Sequence, residues 1–178
     1  MFLPMLSQGD LGGWRAVNQG DAVTVGWVQA NDGPTDGLRG YLSASATVAN
    51  GSVAADVPKD EIHPLEGQIS TQDARPGGST HTHDLTVTRS AIPSLSFSVW
   101  LRAPGLLSMN VAVALWRLNS PHTYGGDATY AFRPVTVTRQ WRQVQVIHGP
   151  YPAVMFARCE LYLSTINRTV HVAGPDLH

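Results

Sequence analysis

The stretch "SLSFSVWLRAP", Ser94–Pro104, alternates serine with large apolar side chains. Leu95, Phe97 and Val99 recur at every second position, which is the period of a β-strand with one face buried and the other in water. At Trp100 the pattern changes, since a tryptophan stands where another serine would continue the polar face. The stretch therefore predicts a strand, and it raises the question of why a large ring lies on the predicted solvent-exposed face.

The same period-two alternation recurs along the chain, whereas a helical period does not. Turn signals such as Asn50-Gly51 and Ile166-Asn167 separate the alternating segments. These segments comprise residues 22–30, 40–49, 84–88, 95–103, 109–118, 133–138, 141–148, 158–165 and 168–174. Such a row of short strands predicts an all-β fold, a two-sheet antiparallel β-sandwich. Its predicted core comprises Val25, Leu42, Phe97, Val99, Val113, Trp141, Val146, Leu161, Leu163 and Val172.

The length and the charge of the chain limit its domain organisation and its expected partners. At 178 residues the chain can bury one sizeable core, and we expect a single domain over residues 1–178. Only 14% of the residues are charged and the net charge is −1, with scattered arginines. This balance excludes nucleic acid as an expected partner, and weak repulsion between copies favours a homo-oligomer. Cys159, the one cysteine, lies in a strand-like segment and is predicted to be buried.

Two apolar stretches bear on targeting. The opening "MFLPMLSQGDLGGW" has no positive charge ahead of its apolar residues, so no signal peptide is predicted. The later run "LLSMNVAVALW" is too short to cross a bilayer, so we expect no membrane insertion. Synthesis in a cytoplasm is the corresponding expectation.

One long segment, residues 57–82, is polar, rich in proline and glycine, and does not alternate. It predicts a long loop across the sandwich, and such length in a compact domain indicates either a role or a plain surface loop. Its few apolar residues cannot offset the entropy of ordering it within one chain. We therefore expect an arm that a neighbouring subunit orders, anchored by Ile62 and Leu65.

Three phrases carry a resemblance to a known family. They are "IPSLSFSVWLRAPGLLSMNVAVALW", "VTVTRQWRQVQV" and "ELYLSTINRTVHVAGPDL". Together they resemble the second half of jelly-roll, carbohydrate-binding-module-like (galactose-binding-like) domains, and the ending is similar to that of modules in bacteriophage tails, fibres and head decorations. The resemblance implies a jelly roll with Trp141 in its core. Some members bind calcium through acidic residues of the last strand, where this chain offers only Asp176, with Asp10 as a weak partner, so no cofactor is expected.

The question raised by Trp100 has three candidate answers. Alternation puts Trp100 and Arg102 on the outer side of their strand, and it does the same for Trp116. Such a ring stacks on a sugar, anchors a subunit contact, or lies beneath a loop. The predicted outer sheet face comprises Trp100, Arg102, Trp116, Gln143, Gln145, Glu160, Tyr162 and His171.

The sequence offers few candidates for catalytic residues or metal ligands. His81 and His83 would share one side of a strand and are weak zinc candidates, with His63 or Asp73 as a third ligand. No nucleophile motif occurs, and the acidic residues Asp56, Asp60, Glu61 and Glu66 come without an aromatic-lined cleft for sugar cleavage. We therefore do not expect an enzyme.

The resulting functional prediction is a non-enzymatic structural component of a tailed-bacteriophage virion, either a capsid decoration or spike or a tail protein. It would act by self-association and by docking to other virion proteins, and it is expected in the virion. The alternative is a carbohydrate-binding module or host-glycan adhesin that binds a polysaccharide through the Trp-bearing sheet face.

Overall fold

A computed structural model describes residues 14–35, 40–58, 94–105, 107–118, 129–150 and 156–177. Within these ranges the chain forms short strands and one turn of 3₁₀ helix. The elements are β1 Arg15–Ala16, the 3₁₀ turn Gly20–Ala22, β2 Val23–Gln29, β3 Gly40–Ala46, β4 Gly51–Pro58, β5 Leu95–Arg102, β6 Met109–Leu118, β7 Thr129–Val137, β8 Arg142–His148, β9 Phe156–Leu163 and β10 Thr169–Leu177. In the described ranges no helix is long and apolar enough to cross a membrane.

The strands form two antiparallel five-stranded sheets. One, called here the β2–β8 sheet, has the order β2-β3-β10-β5-β8, and the other, the β1–β7 sheet, has the order β1-β4-β9-β6-β7. Most strands that are neighbours in sequence, such as β5 and β6, lie in different sheets, whereas β2 pairs with β3 and β6 pairs with β7 within one sheet. The protein is thus an all-β jelly-roll sandwich, as the alternation and the resemblance predicted.

The core lies between the sheets and is built from every second side chain of each strand. Phe97, Val99 and Leu101 of β5 are buried, and so are Val113 of β6 and Leu161 of β9. The predicted core is confirmed at all but two positions, since Val25 is only partly buried against the core and Trp141 lies outside it. The predicted burial of Cys159 is also confirmed.

The position of Trp141 differs from the core position that the resemblance implies. It precedes β8 on the outer side of the β2–β8 sheet and is half-buried. Its indole Nε1 donates to the carbonyl of Asp32 over 2.7 Å. The core position that the resemblance implies for Trp141 is therefore wrong.

Strand β4 was not predicted from the sequence. Its outward residues Ser52 and Ala54 are as buried as its inward Val53, so polar and apolar positions do not alternate clearly. The strand continues to Pro58, and the long segment therefore cannot begin at Val57. The remainder of that segment, including Ile62 and Leu65, lies outside the described residues.

Two tight turns link the sheets at one end of the sandwich. Asn50 and Asn167 have φ values of 61° and 54°, the left-handed conformation that asparagine tolerates better than most residues. The amide of Asn167 donates to the carbonyl of Ala46 over 2.8 Å, and that of Asn50 donates to the carbonyl of Leu163 over 3.2 Å. The Asn50 bond ties the start of β4 to the end of β9, and the Asn167 bond ties the turn before β10 to the end of β3.

Candidate functional site

The residues predicted to share one outer face lie on two sheets, on opposite sides of the molecule. Alternation fixes which side of its own sheet a residue occupies, but it does not say to which sheet the strand belongs. The β2–β8 sheet carries Trp100, Arg102, Gln143, Gln145 and His171, whereas the β1–β7 sheet carries Trp116, Glu160 and Tyr162. The prediction of a single face is therefore wrong.

On the β2–β8 sheet, Arg102 is the centre of a group called here the Arg102 cluster. The group comprises Asp32, Tyr41, Arg102, Trp141 and His171. The guanidinium donates to the Asp32 carboxylate over 2.5 Å, to the Tyr41 hydroxyl over 2.9 Å and to Nδ1 of His171 over 3.2 Å. It also lies 5.0 Å from the Tyr41 ring centre and 4.6 Å from that of Trp141, in cation-π geometry. Each of its nitrogens has an acceptor in this group.

The aromatic members of the Arg102 cluster pack on one another. Tyr41 stacks on His171 with a centroid distance of 4.3 Å and meets Trp141 edge-on at 5.4 Å. Tyr41 is only 4% exposed and His171 only 9%. Because Asp32 follows β2 and is held by groups from β5 and from the start of β8, the β2–β3 connection is fastened over this part of the sheet. The cluster closes the face rather than leaving it open.

The charges of the Arg102 cluster are fixed by this packing. Burial, helped by the Arg102 charge, lowers the pKa of His171 to about 4, so its ring is neutral near pH 7 and Nδ1 accepts a hydrogen bond from Arg102. The hydrogen bond from Arg102 lowers the pKa of Asp32 despite an opposing effect of desolvation. Burial raises the pKa of Tyr41. A neutral histidine and an ionised aspartate are the states that this arginine can bond.

Beside the cluster, the same face carries Trp100 and two glutamines. Trp100 is half-buried and lies opposite Gln143, while Gln145 donates to the Ser96 hydroxyl over 2.6 Å. Ile147, at the end of this row, is 60% exposed. Trp100 therefore lies beside polar side chains of β8.

The outer face of the β1–β7 sheet differs, because four aromatic side chains adjoin there. Tyr130 and Phe132 of β7 are 54% and 48% exposed, and Trp116 of β6 and Tyr162 of β9 are half-buried. Ring centroids are 4.3 Å apart for Trp116 and Tyr130, 6.4 Å for Tyr130 and Phe132, and 6.0 Å for Phe132 and Tyr162. We call these four residues the aromatic strip.

Small residues between the rings allow the strip to form. Phe132 lies opposite Ala114 on β6, and Ala112 lies opposite Tyr162 on β9. Both alanines are buried, since the longer side chains on either side lean over them. Phe132 and Tyr162 stand on strands on either side of β6, and their rings meet across it because the side chains between them are only methyl groups.

Buried polar groups adjoin the strip on β9 and β4. Glu160 has no exposed surface, and it accepts a 2.5 Å hydrogen bond from the Ser52 hydroxyl. That hydroxyl in turn accepts from the backbone amide of Asn18 over 3.1 Å. Arg158, two residues from Glu160 on the same side of β9, is also fully buried. The prediction of Glu160 as an accessible sheet-face group is therefore wrong.

Tyr130 and Phe132 were not predicted from the sequence, because the alternating segment was taken to begin at Arg133, whereas β7 begins at Thr129. The signal was present, since Tyr130, Phe132 and Pro134 continue the same period-two pattern towards the start of β7. The metal candidates Asp10, His81 and His83 lie outside the described residues, and so do Asp60, Glu61 and Glu66. In the described ranges no group of three or more His, Cys, Asp or Glu side chains could hold a metal ion, and Asp176 stands on β10 opposite Ser98.

Comparison with known proteins adds structural likeness only. No protein-family model and no curated protein sequence matches the chain. The xylan-binding domain CBM22-1 of Paenibacillus barcinonensis Xyn10C superposes with a TM-score of 0.59 at 12% identity, covering 99% of this chain and 90% of that one. CBM22-2 of the same enzyme gives 0.57 at 12%, covering 95% and 92%. Carbohydrate-binding modules thus share this jelly roll over nearly their whole length.

A phage protein has the same fold. The enzymatically active domain of tailspike protein 4 of bacteriophage CBA120 gives a TM-score of 0.58 at 11% identity, covering 98% of this chain. Only 21% of the tailspike chain is covered. At such identities the likeness shows the fold and leaves the function to the residues of the site.

Proposed function

We propose that the protein is a non-enzymatic glycan-binding module and that the aromatic strip is its binding surface. The observation that carries the proposal is the run of Trp116, Tyr130, Phe132 and Tyr162, with two of these rings about half exposed. A soluble protein rarely leaves adjoining aromatic rings in water unless something binds there. The shared fold with xylan-binding domains supports the same reading.

The chemistry of the strip suits a sugar. A pyranose ring has an apolar face of C–H groups that packs on an aromatic ring, while its hydroxyl groups point sideways to polar partners. Tyr130 supplies both parts, since its side chain is exposed and carries a hydroxyl group on the ring. The strip therefore offers stacking surfaces in a row rather than a closed pocket.

The outer face of the β2–β8 sheet supports glycan binding less well. The rings of Tyr41 and Trp141 are taken up by Arg102, and the Trp141 indole nitrogen is bonded to Asp32. A sugar would have to displace these contacts, which costs free energy before any new contact forms.

Catalysis is not part of the proposal. Sugar cleavage needs two carboxyl groups on either side of the scissile bond. Among the described residues, the carboxylate that adjoins the strip is Glu160, which is fully buried and held by Ser52. A buried carboxylate in this position supports the framework beneath the rings instead of reaching a bond above them.

The test is binding to a panel of polysaccharides that includes xylan, by affinity electrophoresis and calorimetry. We expect Tyr130→Ala to weaken binding about fivefold, since a stacked ring is worth roughly 1 kcal/mol, and Trp116→Ala to weaken it at least as much. The matched controls are Trp100→Ala and Ile147→Ala on the opposite sheet, which should bind like the wild type. Equal losses in Trp100→Ala and Trp116→Ala would contradict the assignment of the surface.

A second candidate is a structural role in a tailed-bacteriophage virion, through self-association and docking to other virion proteins. The observation in its favour is the tailspike domain that matches 98% of this chain. The same variants separate the two candidates. If the strip is a subunit contact, Tyr130→Ala lowers the mass measured by light scattering, and no polysaccharide in the panel binds the wild type.

A further inference from the structure

The aromatic strip is one end of a longer arrangement along β6 and β7. These strands pair in register, and their outward side chains form successive facing pairs. The pairs are Trp116 with Tyr130, Ala114 with Phe132, Ala112 with Pro134, and Asn110 with Thr136. None of these side chains carries a charge. The surface therefore runs from stacked rings to a polar end without a cation or an anion.

Asn110 at the polar end is held from several directions. Its backbone amide donates to the Thr165 hydroxyl over 2.8 Å, and its backbone carbonyl accepts from the amide of Ser164 over 3.1 Å. Its side-chain oxygen accepts from the Thr136 hydroxyl over 2.9 Å. Asn110 and Thr136 are nonetheless both exposed. The remaining amide nitrogen is thus a pre-oriented donor facing solvent, which lowers the entropy cost of using it in binding.

We propose that the ligand is a single neutral glycan chain lying along β6 and β7. This inference rests on the proposed function and deepens it. One sugar stacks at Trp116 and Tyr130, and a sugar further along the chain accepts a hydrogen bond from the side-chain amide of Asn110. Thr136 acts as a positioning residue, since it fixes which way that amide points.

The angles between the rings favour a single glycan chain over the flat surface of a crystalline polysaccharide. Neighbouring rings of the strip meet at 33°, 88° and 60°. A flat crystalline polysaccharide face needs coplanar rings, whereas one chain can turn its sugars to meet rings of different orientation. The six residue steps from Tyr130 to Thr136 span roughly 20 Å at the usual strand rise, which only an oligosaccharide can cover.

The facing outward side chains of β6 and β7 carry no charge, which favours a neutral glycan over a charged one. A uronic acid carboxylate bound there would lose part of its hydration, and none of the outward side chains in these facing pairs is a cation that could compensate the loss. An unpaired ion is costly to desolvate. Neutral hydroxyl groups meet no such cost, because the exposed amide and hydroxyl of Asn110 and Thr136 can bond them.

The experiment is calorimetry with xylobiose, xylohexaose, cellobiose, cellohexaose and hexagalacturonate. We expect at least one neutral hexasaccharide to bind tenfold or more tightly than its own disaccharide and than hexagalacturonate. Asn110→Ala should weaken binding of that hexasaccharide three- to tenfold and leave disaccharide binding unchanged. Thr136→Val, which keeps the shape but frees the amide, should give a smaller loss in the same direction.

The control is Gln143→Ala, which removes an exposed amide from the opposite sheet and should change nothing. Thermal unfolding of each variant shows whether it is folded. If Trp116→Ala abolishes binding while Asn110→Ala matches the wild type, the proposed function stands and the direction along β6 and β7 is wrong. Tighter binding of hexagalacturonate would overturn the neutral class, and failure of all five glycans to bind the wild type would count against the proposed function itself.

Discussion

The two outer faces of the sandwich carry similar aromatic residues that differ in what they contact. On the β2–β8 sheet, Tyr41 and Trp141 close around Arg102 and leave little ring surface exposed. On the β1–β7 sheet, Tyr130 and Phe132 lie about half exposed beside buried alanines. An aromatic residue on a wet strand face is therefore no sign of a binding site by itself, because what matters is whether the chain itself already covers the ring.

The largest expected change in stability is that of Arg102→Ala, which removes the side chain around which the rings of the β2–β8 sheet pack. The side chain is 14% exposed and joins three acceptor groups and two rings. We expect its removal to lower the free energy of unfolding by about 2–3 kcal/mol, with glycan binding unchanged. Chemical denaturation and calorimetry measure the two quantities.

Arg133→Ala is the matched control for that substitution. Its guanidinium donates over 2.9 Å to a backbone carbonyl, that of Gln145, from an exposed position on β7. We expect a loss of less than about 1 kcal/mol for this change. If Arg102→Ala costs no more than Arg133→Ala, the Arg102 cluster does not fasten the face as described.

A smaller effect is expected from pH. His171 has a pKa of about 4 in the folded protein against 6.5 in the unfolded chain, so between these values the unfolded chain holds the extra proton. The contribution of His171 to the free energy of unfolding is therefore fully present above pH 6.5 and decreases as the pH falls towards 4. With solvent screening allowed for, we expect a loss of about 1–2 kcal/mol, measured by denaturation at pH 7 and pH 4.

His171→Gln isolates this contribution, since it removes the titrating group at the same place on β10. His148, whose pKa is also lowered by burial, serves as the comparison through His148→Gln. An unchanged pH dependence in His171→Gln would show that the Arg102 cluster is not the source of the loss.

The sequence predicted the layers of this fold better than the position of its site. Alternation in segments such as "SLSFSVWLRAP" identifies the inward residues of a strand, because the period of two follows from backbone geometry. Strand β4 escaped this reading because both of its sides are buried near Ser52 and Ala54. Assignment of strands to sheets depends on long-range pairing, which no local pattern contains.

The same limit explains the errors at individual residues. Trp116 and Trp100 follow the same alternation rule, yet β6 and β5 belong to different sheets. Trp141 was assigned to the core because its neighbours matched a family phrase, whereas Asp32 and Arg102 hold it outside. A partner 109 positions away in sequence, such as Asp32 for Trp141, leaves no mark in a short motif.

The most direct test of the central claim uses the side-chain resonances of the tryptophans. In ¹⁵N-labelled protein titrated with a hexasaccharide selected from the glycan panel, we expect the Trp116 indole signal to shift with ligand concentration. Those of Trp100 and Trp141 should stay where they are, because the proposed binding surface lies on the opposite sheet. Shifts at Trp100 or Trp141 with none at Trp116 would place the ligand on the β2–β8 sheet and contradict the account.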